Sequence, residues 1–128
     1  MERRPKVLIV EDEAITALSI RFELERTGHE VCAFVSTGEE AAEAFDRAAP
    51  DLVLMDIGLG GPMDGIAAAS RIRERSDVPL IFISGYDDEP MRARANAFLP
   101  LEFFTKPLDF ELLVETIDRA MEVRTPPS

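Results

Sequence analysis

The sequence predicts an α/β protein built on a doubly wound, parallel five-stranded sheet. Three observations carry that expectation. Short continuous apolar runs, Lys6-Val7-Leu8-Ile9-Val10, Leu52-Val53-Leu54-Met55 and Pro79-Leu80-Ile81-Phe82-Ile83, lack polar alternation and are too short for helices, as fits strands buried on both faces of a sheet. Segments of helical spacing separate them, and strands alternating with helices imply right-handed crossovers. The central run ends at Asp56 and then dissolves into Gly58, Gly60, Gly61 and Gly65, placing a carboxylate at the sheet edge where open α/β folds bind ligands.

Each element follows in order. The first strand, Lys6 to Val10, runs into Glu11-Asp12-Glu13. From Ala14 to Thr27, Ile15, Leu18, Phe22 and Leu24 recur near helical spacing among Glu and Arg, and Gly28 supplies the stop. A lone His29 after that glycine reads as a solvated turn residue. Glu30 to Val35 is the second strand, with Cys32 as a small core hydrophobe. The second helix starts at Thr37-Gly38-Glu39-Glu40 and continues through Ala41, Ala44, Phe45 and Ala48 until Pro50. Beyond the Asp56 loop, Ile66 to Arg75 is an amphipathic third helix. The fourth strand finishes at Ser84-Gly85-Tyr86, and Pro90 to Phe98 is a fourth helix whose end is crowded by Asn96 and Pro100. Glu102 to Thr105 is a short fifth strand closed by Lys106-Pro107. The last helix is capped by Asp109 and shows Leu112, Leu113, Ile117 and Met121 along one face. The domain is expected to span residues 1–122, with 123–128 as a flexible tail.

Composition narrows the function. A chain of 128 residues fits one domain with a real core. Its 14 Lys and Arg against 25 Asp and Glu give a net charge of −11, which disfavours nucleic acid or an anionic membrane and favours cations and basic protein surfaces. The single cysteine, Cys32, fits a reducing compartment, and no apolar run approaches the roughly 18 residues of a membrane span. A cytoplasmic location is expected.

Every strand but the second ends in a reactive side chain: Glu11 and Asp12, Asp56, Ser84, and Lys106. If the first and third strands are neighbours, Glu11, Asp12 and Asp56 converge, and each carboxylate pair near 4 Å repels by about 4 kcal/mol at an effective dielectric of about 20. A cation must sit among them. Hard oxygen ligands used together with phosphate suit Mg²⁺, with Lys106 as a second positive charge and the Ser84 hydroxyl as a donor to an arriving anion.

Taken together, Val10-Glu11-Asp12-Glu13, Leu54-Met55-Asp56, Ile83-Ser84-Gly85 and Thr105-Lys106-Pro107 make the chain resemble, over essentially its whole length, the receiver domain of bacterial two-component response regulators. The resemblance implies a flavodoxin-like sheet in the order 2-1-3-4-5 and a cis Lys106-Pro107 bond. It also implies phosphorylation of Asp56 by a histidine kinase or phosphotransfer protein, and control of a downstream protein target. Carried over residue by residue, Asp12, Asp56 and the Gly58 backbone carbonyl hold Mg²⁺ directly, Glu11 acts through water, Lys106 faces the phosphoryl group, and Ser84 and Phe103 form the switch. A plain core Phe is the competing reading of Phe103.

The chain also departs from the family pattern. Gly60 stands where a proline is usual, Gly65 comes one residue late, and Leu99-Pro100 replaces a common Gly-Ala. A longer, looser loop after Asp56 is expected, together with an altered face of helix four, strand five and helix five. Gly58 and Tyr86 occupy the two positions that flank water's approach to an aspartyl phosphate.

Three other functions compete. A phosphatase of the haloacid dehalogenase type needs a second Asp two residues beyond the nucleophile, where Gly58 stands. An FMN-binding flavodoxin needs a phosphate loop where Glu11-Asp12-Glu13 would repel phosphate. A pseudo-receiver that binds partners without phosphorylation differs only in lacking Mg²⁺-dependent phosphoryl uptake.

Overall fold

Apolar runs free of polar interruption become strands whose two faces are both covered. The computed structural model describes residues 4–85 and 89–124. It places β1 (Lys6–Val10), β2 (Glu30–Val35), β3 (Leu52–Asp56), β4 (Leu80–Ser84) and β5 (Glu102–Thr105) in one sheet, with α1 (Ala14–Arg26), α2 (Gly38–Ala48), α3 (Gly65–Arg73), α4 (Glu89–Asn96) and α5 (Phe110–Arg124) as the connections. All strand pairs are parallel, and the order is β2-β1-β3-β4-β5. The fold is therefore the flavodoxin-like one that the resemblance implies.

Alternate side chains along each strand feed opposite faces. Leu8, Val10, Val53, Met55, Leu80 and Phe82 meet Ala41 and Ala44 of α2, Ile66, Ala69 and Ile72 of α3, and Ala95 of α4. Val7, Ile9, Leu54, Ile81, Ile83 and Phe104 meet Ile20 and Leu24 of α1 and Leu113, Ile117 and Ala120 of α5. Each fully buried Leu, Ile, Val or Phe contributes roughly 1.5–3 kcal/mol relative to exposure, so the two faces hold the sheet edge rigid beneath whatever sits on it.

Helix starts follow their polar caps. Thr37 Oγ1 accepts from Glu40 N at 3.2 Å, Asp64 Oδ1 from Ala67 N at 2.8 Å, and Asp109 Oδ1 from Leu112 N at 3.1 Å. The third and fourth helices are shorter than their patterns predict, ending at Arg73 and Asn96, and the fifth is longer. The predicted tail from residue 123 gives way to helix up to Arg124, while residues 125–128 lie outside the described residues.

Several expectations are corrected. Of the four residues whose spacing marks α1, only Leu24 is buried, whereas Ile15, Leu18 and Phe22 are 81%, 53% and 65% exposed. At about 100° per residue, those three form a stripe nearly opposite the buried Ala17, Ile20 and Leu24, so the helix carries two apolar faces and the sheet takes the one with the smaller first residue. On α5 the inward face is Leu113, Thr116, Ile117 and Ala120, and Leu112 points outward. His29 is no solvated turn residue. It is 2% exposed, with Nε2 2.7 Å from Asp118 Oδ1 of α5 and Nδ1 3.0 Å from Thr27 Oγ1. Leu99, which stands where the family favours glycine, adopts that glycine's left-handed backbone at φ 50° and leaves its side chain 84% exposed.

Candidate functional site

Four strand ends meet at one rim. Glu11 follows β1 and is held by its N–H donating to Val35 O at 3.0 Å. Asp56 ends β3 opposite Ile83, Ser84 ends β4 opposite Thr105, and Lys106 N donates to Ser84 O at 2.8 Å, which brings the lysine stem alongside. The Lys106-Pro107 bond is cis. The loop after β3 is tied down rather than loose: Ile57 and Leu59 are buried, and Gly65 N donates to Ile57 O at 3.1 Å. A Cβ at Gly65 would lie 2.7 Å from Ile57 Cα and closer still to the Asp56 carbonyl, so α3 begins in backbone contact with the residue that carries the carboxylate. A Cβ at Gly38 would lie 2.6 Å from Met63 O, so α2 closes on the same loop.

The structure brings the predicted acids together. Glu11, Asp12 and Asp56 each offer a carboxylate oxygen, and these atoms lie within 4.8 Å of one another. Glu11 and Asp56 are 3% and 2% exposed, whereas Asp12 opens to solvent. Asp56 Oδ1 accepts from Gly58 N at 2.9 Å, Asp12 Oδ2 from Gly60 N at 3.3 Å, and Glu11 Oε2 from Glu13 N at 3.1 Å. Lys106 Nζ stands 3.0 Å from Glu11 Oε1, 2.7 Å from Glu13 Oε1 and 3.4 Å from Asp56 Oδ2. Glu11 Oε1 is a buried oxygen whose nearest cation is that ammonium, an ion pair rather than a well-formed hydrogen bond.

Protonation follows from this crowding. Burial, reinforced by the neighbouring Asp56 carboxylate, pushes the Glu11 carboxyl up from 4.5 to about 7, against the opposing pull of the Glu13 N–H and of Lys106. For Lys106, burial disfavours the charge most strongly of any single cause, but the carboxylates of Glu13, Glu11 and Asp56 around it outweigh that, holding the amine above the ordinary lysine value. The lysine stays cationic. One ammonium among four carboxylates leaves the cluster negative, and the Glu11, Asp12 and Asp56 oxygens together are a donor set suited to a hard divalent cation.

The remaining predicted residues flank this centre. Ser84 is fully buried, and its hydroxyl donates to Met91 Sδ at 3.4 Å. Phe103 is half-buried against the same core cluster that Met91 packs on, with the Arg92 guanidinium 4.3 Å from its ring centroid. Gly58 is exposed two residues beyond Asp56, and Tyr86 lies outside the described residues. Sequence reasoning gave no role to Glu13, Met91 or Arg92. Glu13 stood in the acidic run that was read, but its pairing with a lysine 93 positions away has no local signal.

Both the sequence and the fold have relatives among known proteins. A family model described as the response regulator receiver domain matches residues 7–118. Among curated relatives, the transcriptional regulatory protein PdtaR of Mycobacterium tuberculosis is 30% identical over 116 residues, covering 91% of this chain and 56% of that protein. The sensory transduction protein RegX3 of the same organism is 36% identical over 111 residues, covering 87% of this chain and 48% of that protein. The chain thus spans about half the length of these relatives. Among solved structures, the signal receiver domain of a modulated diguanylate cyclase from Desulfovibrio desulfuricans superposes with a TM-score of 0.89 at 34% identity, over 95% of this chain and 97% of that one.

Proposed function

Since the chain belongs to the response regulator receiver domain family and so to two-component signalling, we propose that Asp56 accepts a phosphoryl group from the phosphohistidine of a sensor histidine kinase or phosphotransfer protein. The observation that carries this reading is the convergence of Glu11, Asp12 and Asp56 within 4.8 Å, with the Lys106 ammonium 3.4 Å from Asp56. In the transfer, a carboxylate oxygen of Asp56 forms a P–O bond as the P–N bond to the donor imidazole breaks. The electron pair returns to the ring nitrogen, which then takes up a proton from solvent.

The side chains divide the work. Asp56 is nearly enclosed yet aims at the rim, so the donor must come to it. Lys106 places positive charge where the phosphoryl oxygens arrive, and the rigid strand ends fix that charge in advance, which favours transfer by positioning and electrostatics. The Gly58 N–H on Oδ1 orients the nucleophilic carboxylate. The acidic set fits Mg²⁺, which Asp12, Asp56 and the Gly58 carbonyl would hold with Glu11 supporting them, and which would supply positive charge against that of the phosphoryl group. Ser84 and Phe103 are the switch residues, through which added negative charge alters the surface offered to a downstream protein target.

The unit with this role covers residues 1–122. A cytoplasmic location accords with the absence, among the described residues, of any helix long and apolar enough to cross a membrane, and the charge of −11 argues against direct nucleic-acid contact. Incubation with acetyl phosphate, or with candidate kinases and labelled ATP, tests the proposal. Acid-stable label that resists hydroxylamine, label surviving Asp56→Ala, or uptake indifferent to chelation would overturn it.

A further inference from the structure

We propose that Arg92 is a positioning residue that, with Met91, latches the switch in its resting arrangement. This rests on the phosphoacceptor reading above and adds to it a pair of contacts made by α4. The two residues assigned to the switch lie on different strands, Ser84 at the end of β4 and Phe103 in β5, yet each is gripped by one of two consecutive residues of α4. The Ser84 hydroxyl donates to Met91 Sδ at 3.4 Å, and Arg92 covers the Phe103 ring at 4.3 Å.

Both grips suit release. A hydroxyl on a thioether is a weak hydrogen bond, and a phosphoryl oxygen on Asp56 is a far stronger acceptor for the same donor. The Arg92 stack lies at a half-buried site where a cation–π contact is modest rather than locking. Because Met91 and Arg92 are adjacent, loss of one contact moves the helical turn that makes the other, so Ser84 and Phe103 change together through α4. A third contact, Arg94 Nη2 to Asp64 Oδ2 at 3.4 Å, links the same helix to the cap of α3.

If the latch stabilises only the resting state, breaking it favours a phosphoryl mimic by the strength of the contact. The full chain is titrated with beryllium fluoride in the presence of Mg²⁺, and occupancy is read by NMR of the bound fluoride. Arg92→Met keeps the apolar stem and removes the charge, so it should bind the mimic about two- to fivefold more tightly than wild type. Arg92→Lys retains a cation and should stay near wild type. In a Phe103→Leu background, Arg92→Met should have no further effect, which isolates the pair from other contacts of Arg92. Equal or weaker binding by Arg92→Met, or the same gain with and without the Phe103 ring, overturns the latch. Failure of wild type to bind the mimic overturns the phosphoacceptor reading, and the latch with it.

Discussion

Without divalent cations, this protein should become less stable as the pH rises from 5 to 8, and Glu11 should be the cause. Its carboxyl titrates near 4.5 in an unfolded chain and at about 7 in the fold, where burial and the neighbouring Asp56 oppose ionisation. A group whose folded value is raised contributes stability that is full below the unfolded value and is lost as the pH passes through the folded one. The gap corresponds to about 3 kcal/mol at ~1.4 kcal/mol per pH unit, most of it lost between pH 5 and 8. For a urea slope of roughly 1–3 kcal/mol/M, the unfolding midpoint should fall by about 1–3 M.

Glu11→Gln removes the titration while keeping the shape. The difference between wild type and variant, measured by urea unfolding in chelator across that range, cancels the titrating groups that Glu11 does not touch. The variant should be the more stable protein at pH 8, and the difference should shrink as the pH falls and vanish only below the unfolded value of 4.5. Saturating Mg²⁺ should flatten the wild-type profile, because a cation bound only by the folded carboxylates favours their ionised forms. A wild-type midpoint that holds level or rises relative to Glu11→Gln would refute the argument. An unchanged slope in Mg²⁺ would show that the acidic cluster is not where the cation binds.

Three further outcomes are expected. Gly58→Asn should shorten the lifetime of phospho-Asp56, since a Cβ there meets Asp56 Oδ1 at an ordinary 3.5 Å and its amide can orient a water; decay of label after donor removal that is no faster in the variant counts against this role. Gly65→Ala should destabilise the fold by about 1–3 kcal/mol and slow phosphoryl uptake, because the new methyl displaces the Asp56 backbone; a variant with normal stability and uptake would mean that α3 can retreat. Leu99→Gly should stabilise by about 0.5–1 kcal/mol by relieving a left-handed backbone, and a lower melting temperature would show that the exposed Leu side chain makes an unrecognised contact.

The strands and the rim were legible because both are local in origin. An uninterrupted apolar run needs two covered faces wherever it sits, and a parallel sheet gathers whatever follows each run at one edge; Glu11, Asp56, Ser84 and Lys106 therefore met as expected. What failed to read was what depends on docking. Two apolar stripes on α1 are equivalent until the sheet chooses one, so Ile15, Leu18 and Phe22 looked like core. His29 is buried by Asp118, 89 residues away, and nothing beside it in the chain announces that. The same holds for Met91 and Arg92, which acquire roles only when α4 lies across the ends of β4 and β5.

The glycine contacts around Asp56 also decide where this loop can change length. Gly65 abuts the Asp56 carbonyl, Met63 abuts Gly38, Asp64 caps α3, Leu59 is buried and Gly60 is bonded to Asp12, which leaves Gly61 and Pro62 as the exposed arc. An extra residue there only widens the arc, at a small closure cost. The same insertion after Gly65 would turn α3 by about 100° and bring polar side chains to the sheet. A one-residue delay of Gly65 relative to the family pattern can thus be absorbed at Gly61-Pro62 with both the carboxylate and the helix undisturbed, and library designs that vary donor access should place their length changes there.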